Sequence, residues 1–199
     1  MNTAARPRGR RPGNDDTRGT IRDAAKALFS AEGYDRVSLR AIARAADVDP
    51  ALVHHYYDSK AALFVEALLP TEVDLAEVHR HILGGEVAEV GQRAARSFIS
   101  ACDAPEVNDG YLWLISQGEQ QVTRFRAVQE FTARELYAPI AEHFGHEDAV
   151  LRGQLAAAAT LGLFASRNLL QMRPLSTTAV RTLVRTTGHA LQQYLVDTW

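Results

Sequence analysis

A wholly α-helical chain, divided into a small N-terminal head and a larger helical body, is what these 199 residues predict. Two observations carry that expectation. Apolar residues recur at intervals of three and four from Thr17 onward, and no segment shows the strict alternation of a half-buried strand. Gly, Pro and Asp-Pro signals then cut the pattern into helix-sized pieces.

Residues 1–14, MNTAARPRGRRPGN, hold Arg6, Arg8, Arg10 and Arg11, no acidic residue, and repeated Pro and Gly. Too little apolar surface is available there to offset the entropy of ordering, so a mobile basic arm is expected, suited to phosphates or a minor groove. From Thr17 to Glu32 the apolar residues Ile21, Ala24, Ala25, Leu28 and Phe29 form one face of an amphipathic helix, with Arg18, Arg22 and Lys26 on another. Gly33 supplies a C-terminal glycine. Ser38 is placed to cap a second, short helix carrying Leu39, Ile42, Ala43 and Ala46.

Asp49-Pro50 starts a third helix: the carboxylate accepts free amides and the proline ring presets φ at the first position. Val53 and Tyr57 should point inward, and Val48 should plug the turn. Asp58-Ser59 opens a fourth helix with Leu63, Phe64, Ala67 and Leu68 at helical spacing. Residues 15–60 are therefore expected to form the head. Pro70 marks a break or kink, and residues 61–199 form the body, with helices near 71–83, 86–102, 105–118, 120–144, 148–172 and 176–197.

The composition is that of a soluble globular chain: long apolar runs are absent, and neither a membrane span nor a secretory signal is predicted. The single cysteine, Cys102, cannot form an internal disulfide, which fits a reducing cytoplasm. A net charge of −2 argues alone against a nucleic-acid binder. The halves disagree, however. Residues 1–60 carry 11 Arg/Lys against 8 Asp/Glu, and the remainder carries 11 against 16. An anion-binding end joined to a body with another task is the physical reading.

The stretch SLRAIARAADVDPALVHHYYDSK, Ser38 to Lys60, has the layout of a helix-turn-helix that reads duplex DNA. On the third helix Pro50, Ala51, Leu52, His54 and His55 face the groove, with Tyr56 near the rim. Ala51 and Leu52 can meet thymine methyls, and the imidazoles can donate to base edges or phosphates. Arg40 can bond guanine bidentately or hold a phosphate, and Arg44 lies on the same segment. Ser38, Tyr56 and Lys60 are backbone positioners, which set register without specifying sequence.

On these residues the chain resembles the TetR family of ligand-responsive transcriptional repressors. The likeness runs through AAKALFSAEGYDRVSLRAIARAADV and the block Leu52-Val53-His54-His55-Tyr56-Tyr57-Asp58-Ser59-Lys60. It implies that His54 stands at the family's DNA-contacting tyrosine, Tyr57 at its packing aromatic and Lys60 at its phosphate-binding lysine. Asp47 replaces the usual turn glycine; aspartate tolerates a left-handed conformation, so the turn should persist. The Pro174-Leu175-Ser176 break before the last helix is similar to actinobacterial members. The resemblance implies a homodimer through the last two helices on a palindromic operator. Ala158, Gly162, Ala165 and Ser166 would offer a small-residue stripe, and Val180, Val184, Thr187, Leu191 and Leu195 a partner ridge. The alternative is that both stripes are internal core.

A body larger than a dimer needs suggests a sensor for a small hydrophobic or amphipathic effector. Phe98, Cys102, Tyr111, Trp113, Phe125, Phe131, Tyr137 and Phe164 are candidates to line an apolar cavity, with Gln117, Gln121 or Arg124 as polar anchors. The competing expectation is a regulator with no small-molecule input. No catalytic pairing, cofactor motif or metal-ligand spacing is present: His54-His55, His79/His81 and His143/His146 lack accompanying Cys or carboxylate ligands, and a lone Cys102 on an apolar helix is ordinarily inert.

Overall fold

The computed structural model describes residues 14–68, 74–105, 107–109 and 121–199, and all regular structure among them is helical. Arg6, Arg8, Arg10 and Arg11 of the basic arm, Pro70, and the segment holding Tyr111, Trp113 and Gln117 lie outside the described residues.

The head contains α1 (Asn14–Glu32), α2 (Leu39–Ala45) and α3 (Pro50–Tyr56), and α4 (Lys60–Leu68) leads out of it. The starts and stops follow the local chemistry. Gly33 ends α1 at φ 84°, its amide donating to Phe29 O at 3.0 Å. The Ala41 amide donates to Ser38 Oγ at 3.1 Å and the Ala51 amide to Asp49 Oδ1 at 2.8 Å. Asp47 takes φ 53°, so the turn between α2 and α3 survives without glycine.

The head core is built from Ile21, Ala25 and Phe29 of α1, Ile42 and Ala43 of α2, Val53 of α3 and Leu63 and Phe64 of α4. Phe64 meets Phe29 and Tyr34 edge-on, with centroids 5.1 and 4.9 Å apart. Burying one such ring contributes about 1.5–3 kcal/mol. The same cluster runs on into the body through Phe98, Val128, Leu161 and Phe164, so α4 joins the two parts through continuous core.

The body comprises α5 (Leu75–Leu83), α6 (Val90–Asp103), α7 (Gln121–Phe131), a π-helical segment Thr132–Tyr137, α8 (Ala138–His143), α9 (Ala149–Phe164), a second π segment Ala165–Leu169, and α10 (Val180–Leu195). Helices α6 and α10 cross at two glycines: a β-carbon on Gly91 would collide with the Gly188 carbonyl, and one on Gly188 would come within 2.7 Å of Gln92 Cα. Gln192 fastens the crossing, accepting from the Gly91 amide at 2.8 Å and donating to Val87 O at 3.0 Å.

This packing corrects one expectation. Val184, Leu191 and Leu195 are buried inside the protomer, so they are core and not an outward partner ridge. Ala158 and Gly162 of α9, by contrast, are exposed. By length and apolar composition alone the continuous helix Ala149–Leu169 would pass as a membrane span. It carries a buried Arg152 that donates to Asp148, and its inner face, with Ala156, Ala157, Thr160 and Leu161, is core.

Candidate nucleic-acid interface

The local sequence from Ser38 to Lys60 sorts its side chains by depth. Val53 is fully buried and Tyr57 nearly so, which turns the opposite face of α3 outward. Pro50, Ala51, Leu52, His54 and His55 are all exposed, and Tyr56 is half-buried with its ring edge-on to His55 at 5.0 Å. Ser38, Arg40 and Arg44 are exposed on and before α2. A short rod with a proline start, two small or apolar side chains and two imidazoles on its open face has the chemistry of a major-groove reader.

Two anchors hold that rod. At its C-terminal end the Tyr57 hydroxyl lies 3.1 Å from Glu66 Oε1 and 3.2 Å from the carbonyl oxygen of Arg18. Arg18 closes the triangle, its Nη2 donating to Glu66 Oε2 at 2.7 Å and its Nε to Oε1 at 3.1 Å. Burial first, and then the Glu66 charge, pushes the Tyr57 phenol up to about 12. Lys60 forms the second anchor. Its ammonium stands 4.4 Å over the Tyr34 ring and 3.5 Å from the Asp35 carbonyl oxygen. Burial lowers its pKa, with Asp35 and Glu130 pulling the other way.

Sequence reasoning missed the contacts that fix the head to the body. Asp35, between α1 and α2, accepts from Arg126 Nη2 at 2.5 Å and from Thr123 Oγ1 at 2.9 Å. Tyr34 donates to Glu130 Oε2 at 3.1 Å, and Ser59 Oγ donates to Glu135 Oε1 at 2.8 Å. No local signal announces these pairs, because 76 or more residues separate their members.

The predicted effector residues divide. Phe98, Cys102 and Phe164 are buried in one cluster, with Phe125 packed on it. These four side chains belong to the core, whereas Gln121 is exposed on α7. Tyr137 is buried in a different cluster, beside Ile140 and Leu191. Burial pushes the Cys102 thiol up to about 12. Two surface concavities lie elsewhere. One runs between α6 and α10 along Gln92, Arg185 and His189; the other, around Asn168, Gln171 and Arg173, adjoins the second π segment. His79 and His146 use Nε2 on the carbonyl oxygens of Leu136 and Val196, at 2.9 and 3.0 Å. Among the described residues no three His, Cys, Asp or Glu side chains cluster as metal ligands.

Comparison with known proteins follows this division. Residues 21–67 match the family of bacterial regulatory proteins, tetR family, and residues 88–195 match the tetracyclin repressor-like C-terminal domain. A TetR-family regulator from Streptomyces coelicolor A3 is similar at 31% identity and TM-score 0.52, over 95% of this chain and 99% of that one. NalD, the secondary repressor of the MexAB-OprM multidrug efflux pump in Pseudomonas aeruginosa, shares 19% identity at TM-score 0.41, covering 93% and 98%. The fatty acid degradation regulator FadR from Bacillus halodurans shares 14% at TM-score 0.40, covering 92% and 97%. No curated protein gives a significant match.

Proposed function

The chain belongs to the TetR family of bacterial regulatory proteins, and from that premise we propose that it is a homodimeric, cytoplasmic repressor of a near-palindromic operator. In this reading it works by binding rather than catalysis, and a small hydrophobic or amphipathic effector in the body releases it. The observation that carries the proposal is the outward face of α3: Pro50, Ala51, Leu52, His54 and His55 are open to solvent while Val53 and Tyr57 lock the helix from behind.

The assignments follow from position. Ala51, Leu52, His54 and His55 read base edges, and Arg40 adds a bidentate contact from α2. Ser38, Arg44, Tyr56 and Lys60 hold phosphates and fix register. A single reader of this size binds weakly, so two copies presenting paired helices to two half-sites are required for specific binding.

Helix α9 offers the dimer surface. Leu151, Ala158 and Gly162 are exposed at helical spacing, Leu155 and Ala165 are half-exposed beside them, and no charged side chain projects from that face between 151 and 166. A bare apolar stripe of this length loses free energy to water unless a second molecule covers it.

The effector would enter the apolar cluster of Phe98, Cys102, Phe125 and Phe164, and it acts only if it prefers the arrangement in which the two heads no longer match the groove spacing. Trp113, Gln117 and Gln121 are the further candidates that the sequence offers for that site. That Phe98, Cys102 and Phe164 are buried as core favours a second reading, a regulator without small-molecule input. A thermal-shift panel of metabolites separates the two: a stabilising compound that also lowers operator affinity supports release by an effector, and stabilising compounds without effect on DNA support the second.

The decisive experiment for DNA reading is selection of bound genomic fragments with the purified protein. Recovered sites should contain two inverted half-sites centred whole helical turns apart. Recovery of no common sequence would reject the proposal.

A further inference from the structure

Between α7 and α8 the backbone passes through the π segment Thr132–Tyr137, where the Ala138 amide donates to the Ala133 carbonyl five residues back. A π turn carries one residue more than the α-helix around it and persists where packing compensates for it. The partner here is Gly153 of α9. A β-carbon at that position would collide with the Ala133 carbonyl oxygen and stand 3.0 Å from the Ala138 amide nitrogen. Gly153 therefore lies directly on the π hydrogen bond. On the same segment Glu135 accepts from Ser59 Oγ at 2.8 Å, and Ser59 in turn accepts from the Ala62 amide at 3.0 Å as the cap of α4. Farther back on α7, Arg126 and Glu130 hold Asp35 and Tyr34 of the head.

We propose that the π segment is a relay between α9 and the head, with Gly153 as its input and the Glu135–Ser59 clasp as its output. The proposal rests on the reading that the chain binds operator DNA as a dimer through α9, and it adds the route by which the setting of α9 reaches the recognition helix. When α9 presses Gly153 onto the Ala133–Ala138 bond, the extra residue of the π turn is held and Glu135 faces Ser59. When α9 withdraws, the segment relaxes toward an α-helix, in which each residue turns by about 100°. The surplus residue is absorbed and the Glu135 carboxylate leaves the Ser59 hydroxyl. The head then keeps its Tyr34 and Asp35 ties and the apolar contact through α4, and can swing about them. The π turn is thus a two-state element that both ends bias, which is what physical coupling between sites requires. Gly153, Glu135 and Ser59 are positioning residues and touch no DNA in this scheme.

The test begins with amide hydrogen exchange on the full chain without DNA. Ser59→Asp retains an N-cap for α4 but sets a carboxylate against Glu135, opening the clasp. Exchange is expected to rise roughly threefold or more across 132–138 and across α9 around Gly153, with α6 and α10 unchanged. Unchanged exchange in α9 overturns the relay. On a selected operator, Glu135→Ala and Gly153→Ala should each lower affinity about tenfold, and the double variant should lose little more than the worse single one. Losses that multiply also overturn it. If the wild-type chain selects no operator, the DNA reading fails while the exchange measurement still decides the relay. That measurement needs no change at Gly153, so it also stands if Gly153→Ala does not fold.

Discussion

The Tyr57 hydroxyl lies 3.1 Å from Glu66 Oε1, which ties the residue following α3 to the last turn of α4. Glu66 is simultaneously gripped by both nitrogens of Arg18, so one carboxylate organises α1, the end of α3 and α4. Tyr57→Phe removes one hydrogen bond and leaves the Arg18 pair intact. It should cost about 1 kcal/mol of stability. Denaturant unfolding with an unchanged m value checks this, and a loss below a few tenths would show that the phenol contributes only its packing.

Arg40 and Lys60 should separate as base reader and phosphate holder. Arg40→Ala is expected to relax preference at particular base pairs, by about 1–3 kcal/mol of discrimination. Lys60→Met keeps the aliphatic stem against Tyr34 but removes the charge; binding should weaken alike on all sequences, and the salt slope should fall by about one. Titrations against a mutated operator series at several salt concentrations read both. Uniform weakening by Arg40→Ala would move it to the backbone class.

Cys102 is buried among Phe98, Phe164 and Leu161, and its thiol is pushed up to about 12. The thiolate, which is the reacting form, is therefore scarce at neutral pH and shielded as well. A bulky thiol reagent should label the native protein no faster than it unfolds. Prompt labelling would show that the apolar cluster opens in solution, and protection by an added compound would then identify that compound as its occupant.

Much of the head was legible because its boundaries are local chemistry: Ser38, Asp49 and Gly33 each act within four residues of where they stand. The body was harder for three physical reasons. The apolar periodicity of Val184, Leu191 and Leu195 reads the same whether it faces α6 or a second molecule, and only packing distinguishes them. A π turn adds a single residue to a helix, which leaves the hydrophobic pattern around Thr132–Tyr137 still helical by inspection. The Asp35–Arg126 and Ser59–Glu135 pairs join segments distant in sequence, so their existence depends on the completed fold. Helix α3, capped by Asp49 and opened by Pro50, needed none of this.

Acid should loosen the C-terminal end of the body. Arg152 is only 3% exposed and donates from Nε to Asp148 Oδ1 at 2.6 Å and from Nη1 to the carbonyl oxygens of Tyr194 and Asp197, both at 2.9 Å, beneath the Trp199 ring. The Arg152 hydrogen bond, more than its charge, holds the Asp148 carboxyl below the usual carboxylate range. A depressed folded-state pKa contributes stability that is present above the unfolded value and lost as pH falls through the folded one. The wild type should therefore lose more thermal stability than Asp148→Asn between about pH 6 and about pH 3, and the variant should be the less stable of the two at neutral pH. Parallel melting curves across that range would remove Asp148 from the account.

The assembly prediction puts the largest demand on α9. Ala158 is exposed midway along a stripe that runs from Leu151 to Gly162, and a β-carbon at Gly162 would meet nothing within 4 Å, so neither position is needed for packing inside one protomer. Ala158→Arg should thus leave the fold and its melting of secondary structure intact in the isolated chain. Across a dimer seam it places an unpaired guanidinium in an apolar contact, which costs several kcal/mol and is enough to shift the sedimentation profile to monomer. Operator affinity should fall with it, because each protomer then holds a single half-site. A variant that remains dimeric and binds the operator normally would show that the second copy docks on another face, and the charge-free side of α9 would need a different occupant.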